Sequence, residues 1–199
     1  GCMRMKGTRA SRPHKEWHSR GYLPHFDHPG IVQFITFRTF DAVPVDIIEK
    51  WKEELKRGEK NDAAETSLRK LREQIAEYED AGYGTCFLRD EHIAGLVENA
   101  LLHFDHERYR LLAWCIMPNN VHVLIQTIEG WSLGDVIHSW KSFTAKFANQ
   151  LLGRTGEFWM KDYFDRFIRD ERHFQATVDY IEQNPVKAGL CEHVKNWRF

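Results

Sequence analysis

At 199 residues and a formal net charge of −1, this chain is one domain, or one domain with an insertion, and its overall charge lends no support to a nucleic-acid partner. Its 42% hydrophobic and 13% aromatic content can fill a core without staples, which excludes a wholly disordered chain. It has no run of 18 apolar residues, so no spanning helix and no membrane partner are expected.

Residues 1–20 are locally basic, with four Arg and two Lys against one Glu. They read as a flexible arm, either a phosphate clamp carrying Arg12, Lys15 and the stacking candidate Trp17, or a solvated tail. No apolar leader stands there, and the four cysteines form no CxxC pair. A reducing cytoplasm is therefore expected, with neither a zinc site nor a disulfide scaffold. The remainder, 21–199, reads as a single domain.

Pro24 and His28-Pro29-Gly30 mark turns before a first strand at 31–38, dense in β-branched and aromatic residues. Apolar residues at helical spacing (Ile47, Ile48, Trp51, Leu55, then Leu68, Leu71, Ile75, Tyr78) predict two helices, an insertion at about 45–80. Their mixed charge reads as a solvated hairpin on the surface. Residues 90–104 form a helix. Tyr109 to Met117 and Asn120 to Thr127 make a β-hairpin across a Met-Pro-Asn turn. Ser132 caps a helix over about 133–152. Phe158 to Met160 and Phe164 to Ile168 are short extended pieces. Asp170 caps a last helix ending near Asn184, before Pro185. This order gives an α+β fold, a central antiparallel sheet with helices on one face.

Two places carry candidate chemistry. In MPNNVHVLIQTI (117–128), strand alternation puts Asn120 and His122 on one face and Val121 and Val123 on the other. Alone, His122 reads as a buried structural histidine and Asn120 as a turn cap. In YIEQN (180–184), Tyr180 and Asn184 share a helix face at i, i+4; alone, they read as a core residue and a helix stop. Together the four suggest phosphodiester chemistry. An imidazole with carboxamide oxygens suits Mg²⁺ or Mn²⁺. A divalent cation lowers the barrier to attack on phosphorus, and the phenol is the nucleophile.

MPNNVHVLI resembles the MPNHVHVLI block of the HUH endonuclease superfamily. YFDRFIRDERHFQATVDYIEQNPVKAGL (163–190) resembles the C-terminal block of the REP-associated tyrosine transposases, relatives of the single-tyrosine insertion-sequence transposases. GYLPHFDHPGIVQFITFR (21–38), DAGYGTCFLRD (80–90) and WSLGDVIHSWKSFTAKFAN (131–149) are similar to family segments too. The resemblance implies a ferredoxin-like fold, Tyr180 as a nucleophile forming a 5′-phosphotyrosine, and His122 and Asn184 as metal ligands. It also implies a substrate of single-stranded or hairpin DNA bearing a short palindrome.

Asn120 departs from the pattern, which has histidine there. Losing an imidazole ligand should cost at least about 10- to 100-fold, or about 1.4–2.7 kcal/mol. The departure reads as an engineered trap, a natural variant of weak activity, or a binder that no longer cleaves. Lys141, Lys146 and Arg154, on or just after the helix that follows the hairpin, are candidate phosphate contacts or a solvated face. A third reading, an RNA-binding ferredoxin-like sheet with exposed aromatics, is disfavoured by the polar residues at 120 and 122. Oligomeric state is left open, monomer or homodimer.

Overall fold

A computed structural model describes residues 17–19, 24–26, 28, 30–57 and 62–199. The described part opens with two short antiparallel strands, β1 (Trp17–Ser19) and β2 (Pro24–Phe26). The expected arm thus ends in structure, with Trp17 starting a strand rather than lying in a mobile tail. Arg12 and Lys15 lie outside the described residues.

The main sheet contains β3 (Val32–Arg38), β4 (Tyr109–Ile116), β5 (Asn120–Thr127) and β6 (Phe164–Phe167). Its order is β4-β5-β3-β6, with every neighbouring pair antiparallel. Helices α1 (Val45–Arg57), α2 (Asp62–Asp80) and α3 (Glu91–His103) separate β3 from β4. Helix α4 (Leu133–Leu151) links β5 to β6, and α5 (Glu171–Lys187) follows. With α1 and α2 set aside, the β-α-β-β-α-β run is ferredoxin-like.

Alternation along β3 and β5 divides the sheet into two faces. Ile35 and Phe37 join Val121, Val123 and Ile125 in the main core with α3 and α4. At its centre Trp140 donates Nε1–H to the Tyr109 hydroxyl (2.9 Å), which donates to the Leu101 carbonyl (2.6 Å). The opposite face is covered as well, correcting the expectation of helices on one side. There α5 packs on β4 and β5, with Ile181 against Cys115, Met117 and Leu124.

The caps are as read from the sequence. The Ser132 side chain accepts from the Asp135 amide, and that of Asp170 from the His173 amide. The C-terminus of α5 differs, because the helix continues through Pro185 to Lys187. Proline forfeits a single amide bond, and the next turn is closed by Ala188 and Leu190 amides on the Asn184 and Pro185 carbonyls. Asn184 therefore lies inside the helix.

The insertion differs more. Ile47, Ile48, Trp51, Leu71 and Ile75 are buried together between α1 and α2. This is a small core, not a solvated hairpin. Its two ends are tied where Thr85 donates N–H and Oγ1–H to Asp41 Oδ2, at 2.8 and 2.7 Å. Gly84 permits that approach, since its φ is +89° and a Cβ would meet the Asp41 carbonyl oxygen at 2.5 Å.

Candidate active site

The Asn120 carbonyl accepts from the Met117 amide at 2.8 Å, closing the hairpin turn. The Asn120 carboxamide is buried, with its Nδ2 donating to Asn119 Oδ1 (3.0 Å). Two residues on, His122 is 1% exposed and faces Thr36 across the β3–β5 register. Asn184 Nδ2 donates to His122 Nε2 at 3.2 Å. In that arrangement Nδ1 carries the ring proton and donates to Thr36 Oγ1 at 2.9 Å. Burial, with the Arg38 guanidinium adding to it, pushes the imidazole down to about 3. It is neutral near pH 7, with a lone pair to offer.

The i, i+4 spacing on α5 delivers Tyr180 to the same place as Asn184. The Tyr180 ring meets His122 edge-on, with centroids 5.4 Å apart, and meets Phe34 the same way at 5.8 Å. Phe34 in turn stacks on His122. Burial, then the charges of Asp80 and Glu79, pushes the phenol up to about 12, while a hydrogen bond with Asn184 acts the other way. A phenol so placed holds its proton at neutral pH unless a positive group arrives beside it.

His122, Tyr180 and Asn184 thus come together, and Asn120 lies two residues along the same strand face. A cavity of about 130 Å³ opens there, lined by Phe34, Thr36, Arg38, Glu79, His122 and Tyr180 among others. The two carboxamide oxygens, Asn120 Oδ1 and Asn184 Oδ1, are buried without a hydrogen-bond partner. Among the described residues no three His, Cys, Asp or Glu side chains converge. The donor set on offer to a cation is therefore one imidazole nitrogen and carboxamide oxygens. Turning the Asn184 amide over would present its oxygen beside Nε2, where a cation can bind both while Nδ1 keeps the ring proton. Such a set fits a hard divalent ion better than a thiophilic one.

Phe34, Thr36, Arg38 and Glu79 were not anticipated as site residues. The first three recur at every second position of β3, so pairing the faces of β3 and β5 would have found them. Glu79 carries no comparable signal, because only tertiary packing brings α2 to this face.

The other described candidates do not line that cavity. Lys141 is half-buried and donates to the Met160 and Lys161 carbonyls. Lys146 is exposed, its ammonium 5.7 Å from the Phe147 ring centroid. Arg154 lies over Phe40 and Phe87 and donates to the Glu157 carbonyl.

Residues 87–184 match the family model described as Transposase IS200 like. Over that stretch the chain is similar to the IS200-like transposase family. The matched stretch contains Asn120, His122, Tyr180 and Asn184, while β3 and the α1–α2 insertion precede it. A Haemophilus influenzae protein named "Putative REP-associated tyrosine transposase" is 27% identical, across 48% of this chain and 60% of its own length. The REP-associated tyrosine transposase of Escherichia coli K12 is 25% identical, across 52% of this chain and 61% of its own length. The chain thus spans about six-tenths of the curated relatives it matches. A solved REP-associated tyrosine transposase bound to a REP hairpin superposes with a TM-score of 0.54 at 16% identity, covering 88% of this chain and 78% of that one. That likeness shows the fold. Among the described residues, no helix is long and apolar enough to cross a membrane.

Proposed function

We propose that this protein is a metal-dependent endonuclease and strand-transferase acting on single-stranded or hairpin DNA of the REP palindrome type, with Tyr180 as its nucleophile. The observation that carries the reading is the meeting of Tyr180 and His122 at one cavity, with Asn184 hydrogen-bonded to His122 and the Asn120 and Asn184 carboxamide oxygens buried without partners. The relatives' names and the family likeness support the substrate class.

His122, Asn120 and Asn184 would hold Mg²⁺ or Mn²⁺, which supplies polarisation of a phosphoryl oxygen when bound. Thr36 orients the imidazole through Nδ1, and with the ring proton on Nδ1 the Nε2 lone pair is free for this. Asn184 also steadies the Tyr180 hydroxyl. The phenolic oxygen attacks phosphorus, and the phenol proton is released. The bond to the 3′ oxygen breaks, and that oxygen takes up a proton. One strand ends in a 3′-hydroxyl, and the other is joined through its 5′-phosphate to Tyr180.

Asn120 specifically favours a second reading, a hairpin-binding protein with weak or no cleavage. A labelled hairpin oligonucleotide with a single-stranded extension, incubated with Mn²⁺ and resolved on a denaturing gel, separates the two. The enzyme reading expects a slow covalent adduct, about 10- to 100-fold faster in Asn120→His and absent in Tyr180→Phe. Adduct persisting in Tyr180→Phe would overturn the nucleophile assignment. Hairpin binding that survives chelator, with no adduct from either wild type or Asn120→His, establishes the binder.

A further inference from the structure

The insertion roofs the candidate site with charge. Arg38 ends β3, opposite Asn120 in the register of the sheet, and is only 5% exposed. Its guanidinium lies 5.9 Å from the Trp51 ring centroid of α1 and forms an ion pair with Glu79 of α2, which is equally buried. Arg72 of α2 lines the same cavity, its guanidinium 5.4 Å from the Phe164 ring centroid. The space beside Tyr180 and His122 is thus bordered by the Arg38 and Arg72 guanidinium groups and the Glu79 carboxylate.

A buried ion pair is a weak source of stability, because desolvation offsets most of the attraction. It does hold a guanidinium fork in a defined place. A fork satisfied by a carboxylate is equally matched to a phosphate. Arginine keeps its charge in proteins, so the Arg38 fork stays cationic whatever occupies it.

We propose that Arg38 is a subsite for a DNA backbone phosphate beside Tyr180, and that Glu79 occupies this subsite while the protein is free of DNA. The inference rests on the reading of the site as one for phosphodiesters. Carboxylate and phosphate exclude one another on the same fork, so DNA entering the site displaces Glu79 and with it the end of α2. Arg38 then sets the position of the strand, and the insertion competes with it.

The test is equilibrium binding of a fluorescent single-stranded oligonucleotide, in chelator, over a series of salt concentrations. It uses a Tyr180→Phe background so that no strand is cut. Glu79→Gln is expected to bind about tenfold more tightly, with a salt slope steeper by about 0.7, the increment for one more phosphate contact. Arg38→Gln combined with Glu79→Gln replaces the ion pair by a neutral pair of similar shape. This double variant should bind about 10- to 100-fold more weakly than Glu79→Gln, with the parental slope. Unchanged affinity and slope in Glu79→Gln, or equal binding by the single and double variants, would overturn the proposal. Should Glu79→Gln fail to fold, Arg38→Lys/Glu79→Gln replaces it. The lysine form must then bind more tightly and with the steeper slope than the double glutamine form, and equality overturns the proposal. These readouts contain no cleavage step. Loss of adduct chemistry therefore rejects the nucleophile without touching the subsite, and flat binding rejects the subsite without touching the nucleophile.

Discussion

The two faces of the sheet are made by the same strands and have opposite characters. Toward α3 and α4, β5 contributes Val121, Val123 and Ile125, all sealed in an apolar core. Toward α5 and the insertion it contributes Asn120 and His122, equally sealed but polar, and beside them a cavity remains. Neighbouring residues of one strand thus serve opposite ends. The apolar face holds the strand still, and the polar face places donors on it. Burial alone does not distinguish the two, since all five residues are at most 1% exposed. On β5 the difference lies in the side chains themselves: the polar face carries an imidazole and a carboxamide whose oxygen has no partner, and the apolar face carries only hydrocarbon.

The comparison can be broken by exchanging what each face loses on mutation. The largest stability effect belongs to the apolar face. Ile125→Ala should cost about 2–5 kcal/mol in chemical denaturation while leaving the residual metal response of the folded protein intact. A loss below about 1 kcal/mol would mean that the core does not position β5. On the polar face, Thr36→Val should cost only about 1 kcal/mol of stability. It should nevertheless weaken Mn²⁺ binding by about 10- to 100-fold, read by titration calorimetry, because His122 loses the partner that orients it. Thr36→Ser should restore the affinity, and failure to do so would remove the orienting role of the hydroxyl.

The smallest effect concerns Lys141, at the edge of α4. Burial pushes its ammonium down to about 8 from an ordinary 10.5, opposed in part by Asp162. Between those two values the unfolded chain holds more protons than the folded one, so this group makes stability rise with pH across that window. Against wild type, Lys141→Met should show a flatter stability profile from pH 8 to 10.5. Parallel profiles would mean that the ammonium is not buried in solution. In the structure this lysine is bound to the Met160 and Lys161 carbonyls.

Much of this was legible in the chain. Alternation at 120–125 and caps at Ser132 and Asp170 depend on neighbours in sequence, so the hairpin and both helix starts were readable. The resemblance of two short blocks identified Tyr180 and His122 as partners, which no local pattern could do. The Pro185 stop was misread because proline costs one hydrogen bond near a helix end, less than the packing of Ile181, Asn184 and Pro185 against the sheet retains. The insertion was misread because mixed charge describes the outer sides of α1 and α2. It conceals Trp51 and Ile75, which pack against each other across the hairpin. Arg38 and Glu79 are 41 positions apart, and neither carries a periodicity that would have joined them.

The clasp between Asp41 and Thr85 gives the insertion a property of its own. Because its entrance and exit are pinned together, the sheet meets the same two chain ends whatever lies between them, and a longer or shorter excursion would add little closure entropy. The region that supplies Trp51, Arg72 and Glu79 is in this sense an exchangeable cartridge on a fixed socket. A different insertion would give the same scaffold a different door.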